Sequence, residues 1–319
     1  MIISRTPLRI SFVGGGTDMK YFYKKYQGGV ISMSIDKYIY IIVKKRFDEK
    51  IVLKYKKTEI VSSTEEIKHE LIKACMELVG IKKSVEITSI ADIPSEGSGL
   101  GSSSAFTVGL LNALFQFKGK SVNQEELARL ACVIEIDICK APIGKQDQYG
   151  TSVGGIKKIV FRKNEKVEIT KIDNKNNLYK NLENKIILVN SNIVRSASEI
   201  LEMQKENSSI NIDRLKKISG LVDNFESCLN EQHFKDIYSE LDKYWIEKKS
   251  LVTSSVKKDL EKIYNNYIPE YCYSGKICGA GGGGHFLFFK KENANLKKLN
   301  YLNVNIDKIG SVIIYNNYN

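Results

Sequence analysis

Residues Pro94 to Ala105 of this 319-residue chain read Pro-Ser-Glu-Gly-Ser-Gly-Leu-Gly-Ser-Ser-Ser-Ala and run straight into the apolar Phe106–Phe117. Gly97, Gly99 and Gly101, with Ser98 and Leu100 between them, lack the side chains that keep an anion off the backbone. The hydroxyls of Ser102, Ser103 and Ser104 follow, where a helix presents its unpaired N–H groups. Such a segment can cradle phosphate. It is not a Walker loop, which needs Gly-Lys-Ser or Gly-Lys-Thr, and the evenly spaced glycines fit a dinucleotide fingerprint poorly. Alone, it also reads as a flexible Gly/Ser turn capping a helix. Two more glycine turns share the chain with it. Arg5–Val13 is strand-like and breaks into Gly14, Gly15 and Gly16, delivering Thr17 and Asp18, while Ile277-Cys278-Gly279-Ala280-Gly281-Gly282-Gly283-Gly284 separates Lys276 from the strand-like His285–Lys290.

Around these turns the hydropathy pattern predicts strands at Ile2–Phe12, Ile39–Phe47, Ile51–Tyr55 and Val85–Ser89, and a helix over Ser63–Val79. Ser102–Phe117 reads as the helix behind the phosphate loop. Another helix opens at the capping box Ser121-x-x-Gln124 and runs to Cys139, with Glu135 off its apolar stripe. A strand is expected at Ile156–Phe161, and the polar Asn174–Asn184 reads as a surface hairpin or linker. Beyond it come a strand at Lys185–Asn190, helices near Ser196–Asn207, Ile212–Asn230 and Phe234–Ser250, and closing strands around His285–Phe289 and Ser311–Tyr315. Periodicity alone gives α plus β.

A hydrophobic content of 42% over 319 residues can bury two compact lobes or one large core. The start, Met1-Ile2-Ile3-Ser4-Arg5, lacks a secretory pattern, and no segment offers the roughly 20 apolar residues that span a bilayer, so a cytoplasmic protein without membrane contact is expected. The six cysteines form no Cys-x-x-Cys pair and the three histidines are scattered, which argues against a disulfide framework or a zinc site. A net charge of +12 is spread over Lys44–Lys57, Lys157–Lys185 and Lys248–Lys262 without aromatic interleaving. That pattern fits a solvated surface that attracts small polyanions, not a nucleic-acid partner.

Together, the three glycine motifs resemble those of the GHMP kinase superfamily, named for galactokinase, homoserine, mevalonate and phosphomevalonate kinases. Glu96 makes the run after Pro94 one residue longer than that family's Pro-x3-Gly-Leu-Gly-Ser-Ser. The Gly-Gly-Gly-Thr-Asp turn, Lys145-Gln146-Asp147-Gln148-Tyr149-Gly150 and Arg195-Ser196-Ala197-Ser198-Glu199-Ile200-Leu201 are similar to the heptose 7-phosphate kinases within it. The resemblance implies an α+β, two-lobed fold: an N-terminal lobe like ribosomal protein S5 domain 2, placed at residues 1–182, and a ferredoxin-like C-terminal lobe at 183–319, with the active site between them.

It further implies ATP as co-substrate and Mg2+, with Gly97–Ser104 on the nucleotide phosphates and Ser103 and Glu135 as metal ligands. Asp147 matches the base that accepts the substrate hydroxyl proton, Arg9 the cation paired with it, and Lys145 is close enough in sequence to serve the same end. Thr17 and Asp18 match sugar-binding positions, with Gly14, Gly15 and Gly16 letting the sugar approach the backbone, and Gly282 and Gly283 of the third motif, which supports the phosphate loop, are expected on the sugar side as well. Arg195, at the start of a helix-like run, is the candidate grip for the substrate's own phosphate. The implied reaction is phosphorylation of the anomeric hydroxyl of a heptose 7-phosphate, giving a 1,7-bisphosphate for nucleotide-activated heptose and surface polysaccharide, by a monomer or homodimer. Another sugar 1-kinase, such as one for L-fucose, and an inactive sugar or nucleotide sensor are the alternatives.

Overall fold

The spine of the molecule is a pair of long antiparallel strands, β1 (Ile2–Val13) and β2 (Gly28–Lys45), with the short helix α1 (Lys20–Tyr26) in the turn between them. Pro7 has no N–H to give the ladder, and the pairing register shifts between Pro7 and Leu8. The computed structural model describes residues 1–94, 97–195, 197–206 and 208–318, so Glu96 and Ser196 of the motifs lie outside the described residues.

β3 (Ile51–Lys54), β4 (Thr58–Val61), α2 (Glu70–Val79) and β5 (Val85–Ala91) follow. Then come α3 (Ser102–Phe117), α4 (Gln124–Cys132), α5 (Gln146–Ser152), β6 (Ile156–Phe161), β7 (Val167–Lys171) and α6 (Leu178–Glu183). The first sheet runs β1-β2-β5-β3-β4, with β6 pairing the first residues of β2 and β7 pairing β6. Only β3 and β5 pair in parallel among the described strands. α3 is apolar around nearly its whole circumference because it is buried between β1 and β2 on one side and α2, α4 and α5 on the others. Gly109 permits that approach: a β-carbon there would stand 2.8 Å from Thr6 Oγ1, and Ser4 donates to the Gly109 carbonyl at 2.7 Å.

The second sheet uses β8 (Ile186–Asn190), β9 (Cys272–Ile277), β10 (His285–Lys290) and β11 (Leu302–Asn303) in the antiparallel order β11-β8-β10-β9. Between β8 and β9 the chain makes α7 (Ala197–Glu206), α8 (Ser208–Glu231), α9 (Phe234–Lys248) and α10 (Ser254–Tyr267). Trp245 of α9 packs on Tyr264 and Phe286, and Phe288 joins the same aromatic cluster through those two rings. Phe12 of β1 stacks on Phe225 of α8 at 5.4 Å and on Phe289 of β10 at 6.4 Å, so both sheets share one continuous core.

The α+β, two-lobed architecture is thus present, with instructive differences in detail. β2 starts at Gly28, eleven residues before the strand expected at Ile39, because its first residues pair with β6 and only the later ones with β5. The helix expected from Ser63 is a 3-10 turn at Thr64–Glu66 followed by α2. The helix expected from Ser121 to Cys139 is capped by Asn123, whose side chain accepts from Glu126 N–H, and it passes into a π-helical turn over Val133–Ile138. Asn174–Asn184 holds α6, whose Leu178, Tyr179 and Leu182 are buried, instead of a linker. β7, α10 and β9 had no counterpart in the hydropathy reading. The last strand, β12 (Val312–Asn316), does not close the second sheet but returns to pair with the outer edge of β1.

Candidate active site

The phosphate-loop glycines all take left-handed backbone, with Gly101 at φ 77° as the residue that starts α3. Gly99 shows why no side chain fits: its β-carbon would lie 2.9 Å from the carbonyl oxygen of Cys278 in the third glycine turn. The two turns pack backbone on backbone, and His285 closes the joint by donating its main-chain N–H to Ser98 O at 3.1 Å. Within the loop the Ser98 and Ser102 hydroxyls bond at 3.0 Å, and Leu100 is wholly buried with its carbonyl accepting from Arg9 N–H.

Arg9 ties β1, the loop and α5 together. Its Nη1 donates to Gly99 O at 2.7 Å, while Nε and Nη2 both donate to Asp147 Oδ1 at 2.9 and 2.7 Å. Arg9 is buried and Asp147 is partly open to the cleft, with Oδ2 unpartnered among the described residues. The π-helical turn carries Glu135 inward, to 1% exposure, rather than onto an exposed helix face. Its carboxylate accepts from the hydroxyls of Ser103 (3.0 Å), Ser104 (2.7 Å) and Thr107 (3.0 Å) and from Gln148 Nε2. Burial raises its pKa and these four donors oppose the rise.

No cluster of three or more His, Cys, Asp or Glu side chains that could hold a metal occurs among the described residues. A lone carboxylate beside the exposed Ser103 hydroxyl nevertheless fits magnesium, which takes one or two protein oxygens and fills its shell with phosphates and water.

Asp18 is almost fully buried, and its pKa is raised, first by that burial and then by Asp147. It accepts from Gly16 N–H (3.0 Å), Gln146 N–H (3.1 Å) and Gln146 Nε2 (3.2 Å), and does not cap α1. These groups line a cleft of about 340 Å³ together with Gly16, Gly97–Gly99, Gly101–Ser104, Gly279 and Ala280.

Several expected site residues lie elsewhere. The Thr17 hydroxyl is spent on Gly14 O, Gly29 O and Gly29 N–H, so it builds the turn and does not face the cleft. Gly14 packs on the backbone of Gly29, and Gly15 against Tyr244 Oη. Gly282 and Gly283 back onto Ile200 and Ile193, outside the cleft lining. Lys145 points away from Asp147: its ammonium lies over the Tyr23 ring at 5.0 Å and reaches Glu165 O at 3.4 Å. Arg195 is committed to Gly282 O and Asp259 Oδ2, each at 2.9 Å.

In their place the cleft holds two residues the sequence reading missed. Lys248 lines it, 2% exposed, with burial holding its ammonium down to about 8. The signal was available: Ile237, Leu241, Tyr244, Trp245 and Lys248 form one stripe of α9, and a lysine ends an otherwise mainly apolar face. Gln146 also lines the cleft, and its Oε1 is buried without a hydrogen-bond partner among the described residues.

A family pattern described as the GHMP kinases N terminal domain matches residues 67–155, the span that carries the phosphate loop, Glu135 and Asp147. The chain is 31% identical over 90% of its length to D-glycero-alpha-D-manno-heptose 7-phosphate kinase of Campylobacter jejuni subsp. jejuni serotype O:2, covering 89% of that protein. The chain belongs to the GHMP kinase family. L-fucokinase/L-fucose-1-P guanylyltransferase of Bacteroides fragilis is 26% identical over 92% of this GHMP kinase, which spans 35% of that longer protein. In fold, the chain matches the crystal structure of a D-glycero-D-manno-heptose 1-phosphate kinase from Bacteroides thetaiotaomicron at a TM-score of 0.78, with 20% identity and full coverage of both chains. No helix among the described residues is long and apolar enough to cross a membrane.

Proposed function

We propose that this GHMP kinase transfers the γ-phosphoryl group of ATP to the anomeric hydroxyl of D-glycero-D-manno-heptose 7-phosphate, giving the 1,7-bisphosphate. The observation that carries the reading is the Arg9–Asp147 pair at the mouth of the glycine loop. One guanidinium fixes both the loop, through Gly99 O, and the carboxylate, leaving Asp147 Oδ2 to receive a hydroxyl. Phosphoryl transfer asks for that arrangement: phosphates held by backbone N–H groups and a helix N-terminus, and an acceptor oxygen held in line.

In this reading the N–H groups at the start of α3 take the nucleotide phosphates, and Asp147 orients the hydroxyl and removes its proton as the bond to phosphorus forms. Ser103 and Glu135 are the residues that would hold magnesium, which when bound neutralises charge on the phosphate oxygens. Asp18, already paired with Gln146 and Gly16, and the unpartnered Gln146 Oε1 are the sugar-facing polar groups. The 31% identical relative's name supports the heptose as acceptor, and the fucokinase relative supports L-fucose as the second candidate.

The test is ATP consumption with the 7-phosphate, plain heptose, L-fucose and D-galactose, with Asp147→Ala as control. Turnover confined to the 7-phosphate and lost in the variant is expected; turnover with a plain sugar reassigns the acceptor.

A further inference from the structure

Among the described groups that line the cleft, one cation has no hydrogen bond or ion pair. Arg9 uses Nε, Nη1 and Nη2 on Asp147 and Gly99. Arg195 is bound to Gly282 and Asp259, and Lys145 turns toward Glu165. The buried Lys276 lies behind the lining, 3.4 Å from Ser11 Oγ and over the Tyr244 ring. Lys248 alone of these lines the cleft with no hydrogen bond or ion pair from its ammonium among the described residues.

Its position is fixed from behind. It continues the buried stripe of α9, and its Cε stands 3.5 Å from where a β-carbon on Gly281 would be, so the third glycine turn steers it. Asp18 and Asp147 act on it as attracting charges and Arg9 as a repelling one, so it sits among the groups of the proposed reaction. A buried ammonium without an acceptor is destabilising, and the end of a helix offsets only part of that cost. The arrangement makes sense if the missing acceptor arrives with a ligand.

We propose that Lys248 is a phosphate-contacting residue of this cleft, its ammonium donating to the oxygens of a phosphoryl group on a bound substrate. The inference rests on the kinase reading above and adds a residue to it. Two substrates bring such a group: the nucleotide, through its terminal phosphoryl, and the acceptor, through a phosphate of its own. Either supplies the anionic, multiply accepting partner that a lysine point charge suits.

The experiment is calorimetric binding of ATP, ADP, heptose 7-phosphate and heptose to the full chain and to Lys248→Met, with Lys248→Gln as second variant and thermal melting as the folding control. The preference of the wild type for ATP over ADP, or for the phosphorylated over the plain sugar, should fall about tenfold to a hundredfold, the range of a charge-assisted hydrogen bond. Whichever ratio falls names the source of the phosphate. The variant should melt no lower than the wild type, since an unpaired buried charge has been removed. Unchanged ratios, or equal weakening of all four ligands, would overturn the proposal. A wild type that binds no heptose phosphate sinks the acceptor assignment, and the ATP-to-ADP ratio then decides Lys248 alone.

Discussion

Asp147 presents one carboxylate oxygen to Arg9 and the other to the cleft, so its two oxygens have separable tasks. Asp147→Asn keeps the shape and an oxygen toward Arg9 but cannot take a proton. We expect kcat to fall by about 10²–10⁴, with KM for either substrate changed far less, in steady-state assays. An equal rise in both KM values at constant kcat would make Asp147 a binding residue only. Arg9, Ser103 and Asp147, which share the cleft lining, were legible as candidates because each stands in a motif that the family resemblance picks out, whereas Glu135 came from that resemblance alone. Gln146 and the turn-building duty of Thr17 were not legible, and the α9 stripe that ends in Lys248 was readable but passed over. A hydroxyl beside an aspartate looks like a ligand until its acceptors Gly14 and Gly29 are seen, and Gly29 lies on the next strand.

At the scale of elements, the site depends on two glycine turns packed without side chains between them. Gly99→Ala places a β-carbon 2.9 Å from Cys278 O and forces alanine into left-handed backbone, whereas Gly80 at the end of α2 has the same backbone but open space around it. Both substitutions should cost about 1–2 kcal/mol for the backbone alone. Only Gly99→Ala should add to that and weaken ATP binding, as read by melting temperature and titration. Equal effects of the two on nucleotide affinity would show that the packing of the turns does not shape the cleft. α3 was readable to the residue, because a glycine before it and an unbroken apolar run mark both ends. The inward turn of Glu135 was not, since a π-helical insertion alters the face by one residue without any mark in composition. β7, with three half-buried and two exposed residues, carries too little periodicity to stand out.

Over the whole molecule, the stack of Phe225, Phe12 and Phe289 joins the helices and both sheets through one core, and β12 closes the chain back onto β1. The single tryptophan, Trp245, lies in the aromatic cluster of the second sheet. Its fluorescence and far-UV circular dichroism should trace the same urea transition, because the main core runs through both sheets and ties the aromatic cluster around Trp245 to the first lobe. Two resolved transitions would mean that the shared core contributes little coupling. The two-lobed α+β fold followed from the family resemblance and not from composition or periodicity, and the return of β12 was not readable at all: pairing between residues more than 300 positions apart leaves no local trace.

The most direct test of the kinase assignment is ³¹P NMR of the product formed from ATP, magnesium and D-glycero-D-manno-heptose 7-phosphate. The expected spectrum shows ADP, the retained 7-phosphate and a new phosphomonoester coupled to the anomeric proton. ATP hydrolysed to free phosphate, or a new ester on any other carbon, would contradict the account.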